Sequence, residues 1–190
     1  MRDPFRLDGR TVIVTGASRG IGAEVARQIS DRGGSVVLVA RTEAALANTI
    51  KTLSGPSAHV VGDVGDTLTA AEAIEAADRL GDLWGLVNNA GINPYYHPVT
   101  ETPLAEWDEV LRVNVLGAAA FARAAGLRLV ELGRGGRFVN LGSIAGLTGV
   151  PNIAPYNASE AALDAMRRPL AVELGPGGVL CTAVAAGSVA

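Results

Sequence analysis

Short runs of β-branched and other apolar residues alternate along this chain with longer segments of helical period. The first run, Thr11–Thr15, precedes a segment in which Ile21, Val25 and Ile29 recur every four residues, a spacing that places them on one helix face. Continuous apolar runs of strand length are typical of strands buried on both faces of a parallel sheet. The alternation therefore predicts an α/β protein: a three-layer, doubly wound parallel sheet with helices on both sides.

The same pattern continues along the chain and predicts the remaining elements. No internal repeat or linker interrupts it, so we expect residues 1–190 to form one domain. The predicted strands are Thr11–Thr15, Ser35–Ala40, 58–62, 84–87, 135–141 and 179–184, and the predicted helices are 21–32, 43–53, 70–80, Leu104–Leu132 and 155–174.

Composition excludes several classes of function. A net charge of −3 without a basic stripe argues against nucleic-acid binding. The single cysteine, Cys181, rules out an internal disulfide and fits a reducing compartment. The first ten residues lack the apolar core of a signal peptide, and the apolar stretches look too short or too glycine-rich for a bilayer, which needs about 20 residues. Two distant histidines, His59 and His97, make no metal cluster with that cysteine. We expect a cytoplasmic protein with no metal and no membrane partner.

A glycine-rich segment, residues 15–22 (TGASRGIG), joins the first strand to the first helix. Glycines let backbone pass close to a pyrophosphate, and the following helix N-terminus offers free N–H groups and a positive dipole end. At a strand-to-helix junction in a β-α-β series, this pattern predicts a dinucleotide site. The alternative is a turn that only needs positive φ angles.

Further motifs follow in order, and together they resemble the classical short-chain dehydrogenase/reductase family. They are Asp63-Val64, residues 88–91 (NNAG), Asn114, Ser143, and Tyr156 thirteen residues after that serine. The resemblance spans the whole chain. It implies a Rossmann fold that is C-terminally truncated, because the family places further segments after this point.

The resemblance implies which residues bind the cofactor. Asp63 and Val64 would contact the adenine, and Asn89 and its neighbours would border the ribose. The full set of implied cofactor-binding residues is Gly16, Ser18, Arg19, Gly20, Ile21, Gly22, Arg41, Asp63, Val64, Asn89, Ala90, Gly91, Tyr156 and Gly187.

The end of the second strand bears on the choice between NAD and NADP. A carboxylate there binds the ribose hydroxyls and repels a 2′-phosphate, but this chain has Ala40 followed by Arg41. Arg41 and Arg19 are guanidinium groups, which can bind a phosphate by charge-assisted hydrogen bonds. We expect NADP(H) to be favoured over NAD(H). The alternative is that both arginines are solvated surface residues.

The resemblance also assigns chemical roles. Tyr156 would exchange a proton with a ketone or secondary alcohol, Ser143 would hydrogen-bond the same oxygen, and Asn114 would support a proton relay. The family lowers the tyrosine pKa with a lysine four residues later, and here that position is Glu160. A carboxylate at that place raises a tyrosine pKa instead.

Other departures from the family are Pro169 inside a helix and Ala186 before the last glycine. We therefore expect an NADP(H)-dependent oxidoreductase whose activity is impaired by Glu160 and by the missing C-terminal segment. The alternative is a catalytically silent nucleotide-binding or subunit-interaction protein on the same fold.

The resemblance finally implies a homodimer through helices 104–132 and 155–174. Small residues at 117–120 would allow close approach, and Leu116 and Phe121 would supply apolar contact.

Overall fold

The computed structural model describes residues 4–187. The strands are β1 (Thr11–Thr15), β2 (Ser35–Ala40), β3 (Ser57–Val61), β4 (Leu83–Asn88), β5 (Gly136–Ser143) and β6 (Val179–Ala186). The α-helices are α1 (Gly20–Asp31), α2 (Glu43–Ile50), α3 (Thr67–Leu80), α4 (Leu104–Leu111), α5 (Ala118–Leu132) and α6 (Ala154–Leu174). A π-helical segment (Arg112–Gly117) and 3₁₀ turns (Ile144–Gly146 and Gly175–Gly177) complete the elements.

The strands form one parallel sheet in the order β3-β2-β1-β4-β5-β6. The chain builds outward from β1 through β2 to β3 and then returns to the other side of β1 with β4. The order therefore reverses between β1 and β4, where a crevice opens at the carboxyl ends of the strands. The predicted doubly wound, Rossmann-like sheet is confirmed.

Side chains of alternate strand positions build a core on each face of the sheet. Ile13 and Val37 pack with α3 and α5, including Phe121 and Leu129. On the other face, Val12, Val14, Val36 and Leu38 pack against α1 and α2. Each fully buried side chain of this size contributes about 1.5–3 kcal/mol to folding. Because both faces of the sheet are covered, nearly every position of these strands is apolar.

Several element boundaries differ from the predicted ones for local reasons. Helix α3 begins at Thr67 because the Asp66 side chain caps it, accepting a hydrogen bond from the Leu68 N–H at 3.0 Å. Strands β5 and β6 each run two residues further than predicted, because they remain paired up to Ser143 opposite Ala186. Ser143 is therefore the last residue of β5.

The helical segment Leu104–Leu132 has the predicted extent but is not one regular α-helix. A π-helical segment, Arg112–Gly117, separates α4 from α5, and Asn114 lies in it. Such π segments are rare and occur frequently at functional sites. Apolar periodicity does not reveal one, because the face pattern shifts by only a single residue.

The expectation that no segment is apolar enough to cross a bilayer was wrong for Leu104–Leu132. This segment has 29 residues, and an 18-residue stretch within it reaches a mean hydropathy of 1.4, with half of that stretch buried inside the protein. Phe121, Ala125 and Leu129 explain its composition, since they face the sheet and are at most 1% exposed. It is a core helix of this fold.

Pro169 lies inside α6 without ending the helix, which continues to Leu174. Proline has no N–H for the carbonyl of Ala165, and its ring crowds that carbonyl, so a proline here lowers the free energy of unfolding by about 3 kcal/mol.

We expect Pro169→Ala to raise the free energy of unfolding by roughly that amount in denaturant titrations. The control is Pro151→Ala, in an exposed turn, which should change it by less than about 1 kcal/mol. An equal effect of the two substitutions would contradict this account.

Candidate cofactor and active site

A cavity of about 510 Å³ opens at the carboxyl ends of the strands, where the strand order reverses. Of the predicted cofactor-binding residues, all except Tyr156 and Gly187 line it. Gly187 follows the end of β6 and is exposed. The cavity wall also includes Ala40 at the end of β2, together with residues that sequence reasoning did not single out, namely Thr42, Ala45, Gly62, Ile92 and Val113.

The glycine-rich loop has the backbone geometry that its composition predicts. Gly16 and Gly20 have positive φ angles of +65° and +56°. A Cβ atom on Gly16 would lie 2.8 Å from the Asn89 Nδ2 atom, and one on Gly22 would collide with the same amide and with the Gly16 carbonyl. A Cβ on Gly20 would meet nothing within 4 Å. The glycines therefore allow close packing of the loop against β4 and left-handed backbone on the cavity side.

Thr15 and Asn89 hold the loop in place. The Thr15 hydroxyl oxygen accepts the N–H groups of Asn89 at 3.0 Å and Ala90 at 3.1 Å, and it donates to the Val87 carbonyl at 3.4 Å. The Asn89 side chain in turn donates to the carbonyls of Thr15 at 2.8 Å and Gly16 at 3.2 Å. Sequence reasoning gave Thr15 no role, although a hydroxyl at the end of a buried apolar strand was the available signal.

The cavity fits the pyrophosphate of a dinucleotide. Helix α1 begins at Gly20 on its wall, with no side-chain cap on its N-terminus and no acidic residue in its first turn. The backbone N–H groups there and the positive end of the helix dipole are therefore available to an anion.

The charged residues of the cavity are Arg19 in the glycine-rich loop, Arg41 after β2 and Asp63 after β3. Arg19 and Arg41 are exposed on its rim, and Asp63 is half-buried. Burial acts to raise the pKa of Asp63, but the Gly65 N–H at 2.8 Å and the Arg112 guanidinium at 3.3 Å outweigh it and hold that pKa below its ordinary value. The Arg41 charge acts in the same direction, so this guanidinium lies near Asp63.

The predicted catalytic side chains Ser143, Tyr156 and Glu160 come together at the end of β5. The Tyr156 hydroxyl lies within hydrogen-bonding reach of the Ser143 and Glu160 side chains. Burial, followed by the Glu160 charge, raises the pKa of Tyr156, and the Ser143 hydroxyl only partly opposes this.

Asn114 stands apart from this trio and joins two parts of the site. Its Oδ1 accepts the Ile92 N–H at 2.8 Å, and its Nδ2 donates to the Ile92 carbonyl at 3.0 Å and to the Ser159 hydroxyl at 3.0 Å. Ile92 lines the cofactor cavity and Ser159 lies on α6 beside Glu160, so Asn114 fixes the distance between cavity and catalytic helix.

Glu160 is buried with only 6% of its surface exposed. It does not line the cofactor cavity but a smaller one of about 80 Å³ between α6 and β6. Its carboxyl interacts with the Tyr156 hydroxyl and the Ser143 N–H, while Oε2 has no hydrogen-bond partner among the described residues. Burial raises the pKa of Glu160 despite these two hydrogen bonds.

The loop after β4 holds a separate polar group. The Tyr95 hydroxyl contacts the Glu109 carboxylate, which raises the pKa of that tyrosine. The His97 ring lies 3.4 Å from the Glu106 carboxylate, and the His97 backbone N–H donates to the Asn152 carbonyl at 2.9 Å. These contacts tie the loop to α4 and to the segment before α6.

Known proteins are similar to this chain in sequence and in fold. Residues 10–190 match the family model described as short chain dehydrogenase. The chain is 36% identical over 196 residues to a short-chain type dehydrogenase/reductase of Picea abies, covering 97% of this chain and 72% of that protein. It is 38% identical over 192 residues to galactitol 2-dehydrogenase (L-tagatose-forming) of Cereibacter sphaeroides, covering 100% and 75%.

Solved structures have the same fold. A 3-oxoacyl-[acyl-carrier protein] reductase with bound NAD from Brucella melitensis superposes with a TM-score of 0.90 at 34% identity, covering 98% of this chain and 74% of that one. The chain therefore belongs to the short-chain dehydrogenase/reductase family, a family of oxidoreductases that use NAD(P) cofactors.

Proposed function

We propose that the protein is an NADP(H)-dependent oxidoreductase that interconverts a ketone and a secondary alcohol. The observation that carries this proposal is the Tyr156 hydroxyl beside Ser143, on a helix joined through Asn114 to the dinucleotide cavity. A bound nicotinamide supplies or accepts the hydride. A cytoplasmic location stays a prediction.

Two side chains act on the substrate oxygen. Tyr156 donates a proton to that oxygen in reduction, or accepts one from it in oxidation. The Ser143 oxygen accepts the Ala145 N–H at 3.1 Å, which leaves its own hydrogen free to donate to the same substrate oxygen.

The raised pKa of Tyr156 acts differently on the two directions. Reduction needs the protonated hydroxyl, which a raised pKa preserves through neutral pH. Oxidation needs the tyrosinate, which burial disfavours and which no cation at position 160 stabilises. We therefore propose that the site works mainly as a reductase and is weak as a dehydrogenase near neutral pH.

Replacing Glu160 by a cation tests this account of the site. We expect Glu160→Lys to lower the Tyr156 pKa and to raise the rate of alcohol oxidation. The increase should be at most roughly 10²–10⁴-fold, the contribution typical of one general acid–base group. The onset of oxidation should also move to lower pH. The rate is measured as NADPH formation across neutral and alkaline pH.

A neutral control separates loss of the carboxyl from gain of the cation. Glu160→Met keeps the side-chain length without adding a cation, so it should not move the onset of oxidation to lower pH as Glu160→Lys does. If Glu160→Lys leaves the pH profile unchanged, Glu160 is not what limits Tyr156.

The proposed NADP(H) preference rests on Arg19 and Arg41, which line the cavity rim without an acid at the end of β2. Charge-assisted hydrogen bonds contribute about 1.5–3 kcal/mol each, so Arg41→Asp should weaken NADPH binding roughly ten- to hundredfold and spare NADH. Calorimetric titration of each cofactor measures this. Arg79→Asp, on an exposed face of α3, is the control and should change neither affinity. Equal affinities of the unmodified protein for NADPH and NADH would refute the preference.

A silent nucleotide-binding protein is the second candidate, and the buried Glu160 carboxyl beside Tyr156 is the observation that favours it. Binding of NADPH without its consumption, against a panel of aliphatic and aromatic ketones, would support this candidate over the first.

We also propose a homodimer through the helices 104–132 and 155–174. Leu116, Leu127, Val130 and Val172 support it, since each is at least 55% exposed on those helices. Phe121 and Gly117, in contrast, do not reach that surface: Phe121 is 1% exposed in the core, and a Cβ on Gly117 would touch Val64. The expected role of Phe121 in the dimer was therefore wrong.

A charge on the exposed helix face should break this dimer. We expect Leu127→Glu to shift the protein to monomer in light scattering at micromolar concentration, because it places an unpaired carboxylate in an apolar interface. Leu68→Glu, at a 68% exposed position on α3, should leave the mass unchanged. A monomeric unmodified protein would overturn the proposal.

A further inference from the structure

Among residues 4–187, Glu160 is the ionisable side chain most completely withdrawn from water, with 6% of its surface exposed. Glycines make room for it: a Cβ on Gly142 would lie 3.1 Å from its Oε2 atom, and a Cβ on Gly146 would lie 2.9 Å from the Glu160 Cβ. The Glu160 side chain is therefore closely packed between α6 and the glycines at 142 and 146, and it does not extend into solvent.

The two sides of this carboxyl have different surroundings. One side meets the Tyr156 hydroxyl and the Ser143 N–H. On the other side, Oε2 has no partner within the described chain and adjoins the 80 Å³ cavity, whose wall includes Gly142, Leu163, Ala183 and Ala185. Leu147 and Val184 also line this cavity and are 67% and 49% exposed, so it reaches the protein surface.

No cation faces Glu160 from the described elements around it. Helix α6 contributes Tyr156 and Asp164, and β5 contributes Asn140 and Ser143. Strand β6 and the 3₁₀ turn present only uncharged residues to the cavity. Asp164 is paired with Arg167 and Arg168 at 3.5 Å each, so those guanidinium groups are already engaged.

A buried carboxylate without a cation is unfavourable, and protonation removes the cost. A neutral carboxyl is one donor and one acceptor, so it can hydrogen-bond Tyr156 on one side and water on the other. The cavity is several times larger than the roughly 15 Å³ that one water requires.

We infer that Glu160 is held as a neutral carboxylic acid and relays solvent protons from the cavity between α6 and β6 to Tyr156. This inference rests on the proposed reductase function. When the Tyr156 O–H bond breaks and its proton passes to the substrate oxygen, the Glu160 O–H proton passes to the phenolate. The carboxylate left behind takes a proton from solvent water in the cavity. One solvent proton is consumed for each carbonyl reduced, and Glu160 undergoes no redox change.

The protonation state is tested without turnover. Infrared spectra at neutral pH should contain the C=O band of a protonated carboxylic acid, which Glu160→Gln removes and Glu173→Gln, at an exposed position on the same helix, retains. Carbon-13 labelling of glutamate should shift this band in the unmodified protein, so the result does not depend on a variant that folds. Absence of the band at neutral pH overturns the inference.

The free energy of unfolding gives a second readout of the same state. A carboxyl whose pKa is higher in the folded than in the unfolded protein contributes stability that is complete below its unfolded pKa and is lost as pH rises through the folded pKa. Stability should therefore fall with rising pH above about 4.3, the ordinary value for glutamate, and Glu160→Gln should flatten this dependence.

The relay itself is tested by kinetics. Glutamine keeps the shape of the side chain but exchanges no proton, so Glu160→Gln should lower kcat for ketone reduction about 10²-fold with little change in KM, and should change the solvent deuterium isotope effect. Glu173→Gln should change neither. Equal kcat in the unmodified protein and Glu160→Gln overturns the relay. If the unmodified protein reduces no ketone, the proposed function fails and the relay with it, whereas the infrared band still decides whether Glu160 is neutral.

Discussion

The site depends on the hydrogen bonds that join the carboxyl ends of β1 and β4. Thr15 and Asn89 exchange two of them. A third runs from the Ala90 N–H to the Thr15 hydroxyl, and a fourth from the Asn89 side chain to the Gly16 carbonyl. Without this link the strand order could still reverse at β1, but the glycine loop would have no fixed position relative to β4. Buried polar groups with satisfied partners specify one arrangement, because every alternative leaves an N–H or carbonyl unpaired at a cost of about 1–3 kcal/mol. The cofactor cavity inherits its shape from this link.

Asn114 links the cavity to α6 by hydrogen bonds in the same way. Its amide satisfies both backbone groups of Ile92 and reaches Ser159, so a single side chain spans from the cavity wall to α6. The π-helical segment supports this contact, since an extra residue in the turn rotates the helix locally and places Asn114 where it is only 2% exposed. Asn114 was predicted to support proton transfer. The structure shows it in a positioning role, and its part in a proton relay stays a prediction.

Sequence alone predicted the sheet, the helices and most of the cavity lining, because those follow from apolar period and from glycines at a strand-to-helix junction. It could not predict the π-helical segment or the burial of Phe121, since both depend on which side of a long apolar helix faces the sheet. It also could not show where the carboxyl of Glu160 lies. The residue type was evident, but its placement between α6 and β6 depends on Gly142 and Gly146, which allow close packing there.

The two ends of the site differ in their ionisable residues: arginines lie at one end and a buried carboxyl at the other. At the cofactor end, Arg19 and Arg41 place two guanidinium groups on the cavity rim, where the proposed NADP(H) would bring its additional phosphate. At the chemical side, no cation lowers the pKa of Tyr156, and the buried Glu160 raises it. Under the proposed function, both features act in one direction, because NADPH delivers hydride and a tyrosine that keeps its proton can complete the reduction.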